Sequence, residues 1–300
     1  MRRSERGLAA RRSRRERKDE VVNVRVVTDS ACDLPEQLVA ELGIEIVPLT
    51  IRFGAEELVD RVELSTDEFW DRLRSSEALP ETSAPSAGAF EARFRELIAD
   101  GASGIVCVNL SSRLSATMQA AQVAGAAVTK DCPVHVIDSM TCSLGLGSLV
   151  LTAARRASNG DAIDDIVAEV SDRRDRTRLF GSLDTLEFIK RGGRIGNARA
   201  LLGTMLSIKP VIEVRDGAVE ESGRVRTRSR ALRLLADKVR EQRVDSVALL
   251  HGQASDVDEL LELLEAIVPR DEIVVSVVGS VIGTHAGPGV IGVTFQVAKG

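Results

Sequence analysis

The chain has 300 residues, of which 44% are hydrophobic and 28% charged, and its formal net charge at pH 7 is −5. This composition predicts a globular protein with enough apolar material for one or two cores. An acidic pI near 5.5 argues against a nucleic-acid-binding domain, because such domains carry a basic face or stripe. No secretory signal and no run of 18 uncharged apolar residues is present, so we expect a cytoplasmic protein without a transmembrane segment.

The beginning of the chain is a basic exception. Residues 1–20 hold nine Arg or Lys against four acids, a net charge of +5 that leaves −10 on the rest of the chain. We expect a disordered arm over residues 1–22. A solvated tail or a start codon placed too early explains such an arm most simply, and transient contact with nucleic acid or an anionic membrane surface is the functional alternative.

From Val24 onward, short apolar runs alternate with helical stretches. VRVV predicts a strand, PEQLVAEL a helix and IEIVPLTIRF a strand, and Ser65 with Glu68 forms a capping box that opens the next helix. The runs AFEARFRELIADG, GIVCVNL, LSATMQAAQVAGAAV and VHVID continue as helix, strand, helix and strand, before a long helix that ends at Asn159 and Gly160. Apolar strands that are each followed by a helix predict a mainly parallel sheet covered on both faces.

The pattern changes after the charged helix DAIDDIVAEVSDRRDRTR. The pair Asp216–Gly217 between two alternating runs predicts a hairpin, and SVALLHG, DVDELLELLEAIV, EIVVSVVG and GVTFQVA follow as strand, helix, strand and strand. The sequence therefore predicts an α/β protein of two domains. Residues 23–172 form an N-terminal, Rossmann-like, three-layer domain with a mainly parallel sheet, and residues 173–300 form a C-terminal α/β domain with a mixed or antiparallel sheet.

Neither a metal site nor a nucleotide site is indicated. The cysteines Cys32, Cys107, Cys132 and Cys142 are far apart and contain no C-x-x-C pair, and only three histidines are present, so buried free thiols fit best. The GLG at 145–147 lacks the third glycine of a dinucleotide fingerprint and lies inside a predicted helix. We predict no metal and no cofactor.

Polar side chains cluster where predicted strands end, at the edge where open parallel sheets bind ligands. The clusters are Thr28, Asp29 and Ser30; Thr82, Ser83, Pro85 and Ser86; Ser111, Ser112, Ser115 and Thr117; Asp138 and Ser139; and His285 within GTHAGPG. Helix capping needs only one such residue. The stretch SSRLSAT offers four hydroxyls, and this excess suits a small anion such as a carboxylate or phosphate.

Other interpretations of these residues stay open. Ser115 and His285 could form a hydrolase pair across a domain interface, although no G-x-S-x-G elbow is present. The RGGR turn from Arg191 to Arg194 could hold an anion or a partner protein, or could be a tight turn with solvated arginines. The lone Trp70 lies on an amphipathic helix, which favours core packing.

The sequence from residue 24 to the end resembles the DegV family of bacterial fatty-acid-binding proteins. The matching blocks, in order, are VVTDSACDLP, VPLTIRFG, TSAPS, LSSRLSAT, VIDS, TLEFIKRGGRI, LSIKPVI and THAGPG. The resemblance implies that a long-chain fatty acid is held in a tunnel between or beside two α/β domains. It also implies that Thr82 and Ser115 bind the carboxylate near His285, with Ser83, Ser112 and Thr117 as neighbours.

The resemblance further implies a carrier without catalytic residues. Such a carrier presents the bound acid to a separate fatty acid kinase, which forms an acyl phosphate for phospholipid synthesis. Contacts with the head group or the partner are assigned to Thr28, Asp29, Ser30, Arg191 and Arg194. A serine esterase or thioesterase that uses Ser115 and His285, and a module for a phosphorylated metabolite, are the alternatives.

Three positions depart from the family pattern and affect the expected ligand preference. Ala116 and Met118 stand where the family usually has glycine and an aromatic residue, and Ala84 stands where glutamine is common. A chain of about fourteen methylenes at roughly 0.8 kcal/mol each gives on the order of 11 kcal/mol before binding costs. Hydrogen bonds to a charged head group give about 1.5–3 kcal/mol each. We therefore expect the tail to supply affinity and the hydroxyls to fix the head group.

Overall fold

The computed structural model describes residues 23–76, 79–201 and 208–300. The predicted arm over residues 1–22 and the first two residues of LSIKPVI lie outside the described residues.

The elements alternate along the chain, with short 3-10 turns between some of them. The strands are β1 (Val24–Asp29), β2 (Glu45–Val47), β3 (Thr50–Phe53), β4 (Glu56–Val59), β5 (Glu81–Ser83), β6 (Gly104–Asn109), β7 (Val134–Asp138), β8 (Thr177–Ser182), β9 (Lys209–Arg215), β10 (Ala218–Val225), β11 (Val244–His251), β12 (Ile273–Val277) and β13 (Ile291–Val297). The helices are α1 (Glu36–Glu41), α2 (Thr66–Ser75), α3 (Ala87–Ala99), α4 (Thr117–Val128), α5 (Ser143–Ser158), α6 (Ile163–Arg176), α7 (Glu187–Arg191), α8 (Arg228–Arg240), α9 (Val257–Glu265) and α10 (Ser280–Ala286).

The N-terminal sheet is parallel and has helices on both faces. Its strand order is β2-β1-β6-β7, and every pair is parallel. Successive side chains of a strand point to opposite faces, so Val106 packs in the same core as Leu149 of α5, whereas Cys107 packs with Phe90 and Phe94 of α3. The predicted three-layer, Rossmann-like arrangement is confirmed.

The second large sheet is mixed, as predicted. Its order is β10-β9-β8-β13-β11-β12, in which β11 and β12 are parallel and the other pairs antiparallel. The hairpin predicted at Asp216 and Gly217 joins β9 to β10, and its two turn residues have φ angles of 50° and 78°. Positive φ at both central residues is the geometry that an Asp-Gly pair favours.

A small antiparallel sheet of order β4-β3-β5 was not predicted. The run IEIVPLTIRF, expected to be one strand, divides at Pro48 into β2 and β3, which belong to different sheets. Proline has no N–H to donate to a ladder, so the chain leaves the first sheet there. The small sheet matters for function because β5 carries Thr82, which pairs in register with Ile51.

Several local predictions are confirmed. The Ser65 hydroxyl caps α2 by accepting the Glu68 N–H at 3.2 Å, although the Glu68 carboxylate pairs with Arg72 and does not complete the predicted capping box. Helix α5 ends at Ser158, followed by Asn159 at its C-cap. The four cysteines are free and buried. Within the described ranges, no helix is both long and apolar enough to cross a bilayer.

Trp70 is fully buried, as its position on α2 predicts. Its indole N–H donates to the Val278 carbonyl at 2.9 Å, and its ring lies so close to Gly283 of α10 that a Cβ there would meet it at 3.0 Å. The tryptophan therefore fixes α10, which the sequence did not predict as a helix, against the N-terminal half. The proposed domain boundary at residue 172 falls inside α6 and remains a prediction.

Candidate functional site

A cavity of about 240 Å³ lies between the N-terminal sheet and the C-terminal sheet. Strands β8 to β11 contribute Leu179, Ile212, Val214, Val219 and Leu250 to its wall, and all five are buried. Leu110 and Leu114 line it from the other side. Most of the lining is therefore aliphatic, which suits a hydrocarbon.

The cavity is also lined by Thr82, Ser115, Arg194 and His285, named here the polar mouth, and contacts of Thr82 with His285 and of Arg194 with the Leu114 carbonyl place these side chains close together. Ala84, Ala116 and Arg194 line the same cavity and are exposed to solvent. The polar mouth is therefore the place where the cavity reaches the surface.

Thr82 and His285 are in direct contact. The Thr82 Oγ1 lies 2.9 Å from His285 Nε2, across 203 residues of sequence. The other ring nitrogen, Nδ1, is buried without a hydrogen-bond partner in the described part of the chain, and it packs so closely on Gly192 that a side chain there would overlap it. Because orphaned buried N–H groups are rare, we assign the proton to Nε2, which then donates to Thr82.

His285 is held in its neutral form. Burial and, to a smaller extent, the nearby positive charge of Arg194 together lower its pKa to about 4. A neutral imidazole that donates from Nε2 occupies one lone pair of the Thr82 oxygen and leaves the threonine O–H free to donate into the cavity. The pair thus presents an uncharged hydrogen-bond donor.

Ser115 lies ahead of α4, which begins at Thr117 rather than at the predicted Leu114. Its Oγ lies 2.9 Å from Thr117 Oγ1 and accepts the Thr117 N–H at 3.3 Å. Ala116 occupies the N-cap position and makes no side-chain cap. Ser115 therefore serves the helix start while it faces the cavity.

Arg194 is the cation of the polar mouth. Its guanidinium donates to the carbonyls of Leu114 at 3.1 Å and Gly192 at 2.7 Å. Across residues 23–76, 79–201 and 208–300, no carboxylate lies within ion-pair distance of it, whereas Arg191 pairs with Glu187. The structure thus separates the two arginines of RGGR, because only Arg194 faces the cavity.

Three predicted ligand residues do not line the cavity. Ser83 is exposed beside Thr82 on β5, since neighbouring residues of a strand point to opposite faces. Thr117 is fully buried behind Ser115, and Ser112 donates its backbone N–H to Asp138 at 3.2 Å. The structure brings together Thr82, Ser115, Arg194 and His285. Ser83, Ser112 and Thr117 lie next to this group but do not line the cavity.

Thr28, Asp29 and Ser30, expected from the sequence to contact the head group or a partner, are all fully buried and do not line the cavity. The Asp29 carboxylate accepts from the Leu110 N–H at 2.9 Å, the Asn109 amide at 3.1 Å and the Ala31 N–H at 3.1 Å. Burial raises its pKa to about 6. This cluster ties the end of β1 to the end of β6.

Asp33, for which no role is predicted from the sequence, links Ser143 of the cavity wall to the start of α10. Its carboxylate accepts the Ser143 hydroxyl at 2.5 Å and the Gly279 N–H at 2.9 Å, just ahead of α10. Asp33, Arg61 and Ser143 have φ angles of 49°, 63° and 51°, and such left-handed non-glycine residues cluster at functional sites. The motif CDLP is the sequence feature that could have indicated a role for Asp33, but it resembles an ordinary turn.

In the described ranges, no three His, Cys, Asp or Glu side chains come together as candidate metal ligands. The cysteines are equally unsuited to reaction, since burial raises the pKa values of Cys32 and Cys142 to about 12. The site consists of an apolar cavity with hydroxyls, one imidazole and one guanidinium.

The family model described as "Uncharacterised protein, DegV family COG1307" matches residues 23–298. The chain belongs to the DegV family. It is 37% identical over 280 residues to a DegV domain-containing protein of Streptomyces coelicolor, with 91% of this chain and 98% of the relative covered.

Solved structures of DegV-family proteins have the same fold. A fatty-acid-binding DegV-family protein of Thermus thermophilus matches with a TM-score of 0.84 and 34% identity, covering 92% of this chain and 100% of that one. DegV of Bacillus subtilis, a fatty acid binding protein, matches with a TM-score of 0.82 and 29% identity, covering 92% and 100%. The resemblance noted from the sequence blocks is confirmed at the level of family and fold.

Proposed function

We propose that this DegV-family protein binds a long-chain fatty acid, with the hydrocarbon tail in the aliphatic cavity and the carboxylate at the polar mouth. One observation carries the proposal: an apolar cavity has Thr82, Ser115, Arg194 and His285 in its lining. The fatty acid binding of the Thermus thermophilus and Bacillus subtilis relatives supports it.

The polar mouth matches the charge of a carboxylate without enclosing it in buried cations. The Thr82 and Ser115 hydroxyls donate to its oxygens, and His285 orients Thr82. A buried carboxylate is costly unless it is hydrogen-bonded, and hydrogen bonds to a charged group contribute about 1.5–3 kcal/mol each. Arg194 adds a positive charge at the solvent side, where its effect is screened.

We further propose that the protein acts as a carrier and has no catalytic residue of its own. A serine hydrolase needs its base within hydrogen-bond reach of the serine. In the structure, His285 Nε2 is paired with Thr82, and no hydrogen bond joins His285 to Ser115 in the described part of the chain. This geometry disfavours the esterase alternative, and the aliphatic lining disfavours a phosphorylated polar metabolite.

The proposed role of the carrier is to present the carboxylate to a separate kinase in the cytoplasm of a bacterium, where the acyl phosphate supplies phospholipid synthesis. The exposed Arg194 and Arg191 on one turn are the proposed contact for that partner. Residues 23–172 and 173–300 are the two domains that we propose to enclose the tail.

Lipid extraction tests the binding proposal directly. Protein purified from a heterologous host is denatured into organic solvent, and the extract is analysed by mass spectrometry. We expect about one equivalent of long-chain acid per chain, and an extract without acid from protein that also takes up none on incubation contradicts the proposal.

A trapping assay tests the carrier role. Loaded protein is incubated with ATP and hydroxylamine, which converts an acyl phosphate into a hydroxamate. We expect hydroxamate only after a fatty acid kinase is added. Hydroxamate without the kinase, or hydrolysis of acyl esters that Ser115→Ala abolishes, would replace the carrier role with an enzymatic one.

A further inference from the structure

The loop that carries Ser115 is held from the opposite sheet by the turn of the β9–β10 hairpin. The Ser111 Oγ donates to the Gly217 carbonyl at 2.7 Å, and the Arg113 guanidinium donates to the Asp216 carbonyl at 2.8 Å. These contacts join residues more than 100 positions apart and link the two large sheets beside the polar mouth.

Ser111 transmits this contact to Ser115 through the backbone. It is fully buried, and its carbonyl accepts the N–H groups of Leu114 at 2.9 Å and Ser115 at 3.1 Å. The same hydroxyl that binds Gly217 also accepts the Arg113 N–H at 3.2 Å. The position of the Ser115 backbone therefore depends on a residue whose side chain is fixed by the hairpin.

Gly217 lies so close to this loop that there is no room for a side chain at position 217. A Cβ at this position would overlap the Ser111 hydroxyl and would lie 3.3 Å from the Arg113 Cδ. Its φ is 78°, a conformation that also favours glycine. Gly160 has the same φ of 78°, but no atom would lie within 4 Å of a Cβ at that position. The two glycines therefore share the same φ and differ in how closely other side chains approach them.

The loop has other anchors: the Arg194 guanidinium of the C-terminal half donates to the Leu114 carbonyl at 3.1 Å, and two more anchors come from the loop's own sheet. The Ser111 N–H donates to the Thr141 carbonyl at 2.8 Å, and the Ser112 N–H donates to Asp138. Thr82 and His285 reach the mouth independently of this loop, on β5 and α10. The hairpin turn is thus the part of the C-terminal sheet that fixes Ser115 relative to them.

We infer that the Asp216–Gly217 turn is a positioning element for carboxylate recognition, which acts on Ser115 through Ser111 and Arg113. The inference rests on the proposed function and deepens it. A displaced Ser115 loses its hydrogen bond to the carboxylate but leaves the aliphatic wall intact. The turn therefore controls the preference for an acid over an uncharged lipid of equal chain length.

The test compares palmitic acid with hexadecanol on delipidated protein, using displacement of a fluorescent fatty acid probe. Gly217→Ala and Ser111→Ala should each weaken palmitic acid binding about tenfold or more, the size of one hydrogen bond to a charged group. Hexadecanol affinity should change less than twofold. Gly160→Ala is the matched control, because it introduces the same backbone strain and should leave the acid-to-alcohol ratio unchanged.

The acid-to-alcohol ratio is a measurement that a merely structural role of the turn would not move. If Gly217→Ala does not fold, Ser111→Ala and Arg113→Ala carry the test. Unchanged ratios in these variants, together with a lowered ratio in Thr82→Ala, would overturn the positioning role and leave fatty acid binding intact. Absence of acid binding in the unmodified protein would overturn both.

Discussion

Two polar clusters follow neighbouring parallel strands, and they have opposite roles. The cluster at the end of β1 (Thr28, Asp29, Ser30) is fully buried, and Asp29 accepts a hydrogen bond from the Leu110 N–H just after the adjacent strand β6. The cluster after β6 reaches the cavity through Ser115. The same residue chemistry at the same sheet edge thus stabilises the fold in one place and faces the cavity in the other, because the β6 loop lines the cavity whereas the β1 cluster is packed in the interior.

The largest expected effect is the loss of stability in Asp29→Ala. Three donors, from Ala31, Asn109 and Leu110, would lose their acceptor inside the core, which costs about 2–4 kcal/mol of unfolding free energy. Urea denaturation measures it. Ser115→Ala is the matched change in the other cluster and should cost less than about 1 kcal/mol, and equal losses in both variants would break the comparison.

The next effect is a pH dependence near the β1 cluster. Burial raises the pKa of Asp33 to about 7, whereas an unfolded aspartate has a pKa of about 3.9. As the pH falls, the folded state therefore takes up the Asp33 proton at a higher pH than the unfolded state does. Asp33 consequently favours folding more at pH 5.5 than at pH 8. The difference in unfolding free energy between Asp33→Asn and the unmodified protein should therefore shift in favour of the variant by on the order of 2 kcal/mol when the pH is raised from 5.5 to 8.

The difference between these two proteins, measured by urea denaturation at both pH values, isolates Asp33. The control is necessary because His285 acts with the opposite sign: its folded pKa of about 4 lies below the unfolded value near 6.5, so acid favours its unfolded state. An equal stability difference at pH 5.5 and pH 8 would show that Asp33 does not titrate in this range.

A smaller effect is expected for Thr82→Ala, which should weaken fatty acid binding about tenfold while the unfolding free energy changes by less than about 1 kcal/mol. The variant removes a hydroxyl that faces the cavity. Ser83→Ala is the matched control on the opposite face of β5 and should bind like the unmodified protein. Displacement of a fluorescent fatty acid measures both variants, and equal affinities would refute the assignment of Thr82.

The smallest effect concerns Arg194, where Arg194→Ala should weaken acid binding about two- to threefold at low salt and less at high salt, since an exposed charge is screened. Arg191→Ala, which removes an arginine paired with Glu187, should have no effect on binding. Titrations at 20 mM and 500 mM salt check this prediction. A salt-independent loss in Arg194→Ala would indicate that its hydrogen bonds to Leu114 and Gly192 matter instead.

Much of the fold was predictable because local patterns encode it. The alternation of apolar strands and amphipathic helices predicted the parallel sheet, and the Asp-Gly pair predicted the hairpin at 216–217. Pro48 was not recognised as the point at which the chain changes sheets, so the small sheet that carries Thr82 was missed. Helix α10 was also missed, because its seven residues are rich in small side chains and depend on contact with Trp70 and Phe69.

The sequence by itself determined which residue types are available for the site: hydroxyls after strands, an imidazole between glycines and an arginine beside a glycine turn. Only the tertiary structure decided which of them meet, since Thr82 and His285 are 203 residues apart and Ser111 reaches Gly217 across 106. The local sequence pattern indicates whether a segment is a helix or a strand and where it ends. The burial of a side chain and the direction in which it points depend on packing between elements that are distant in the sequence. For that reason Asp29 and Ser115 look alike in sequence and differ in the fold.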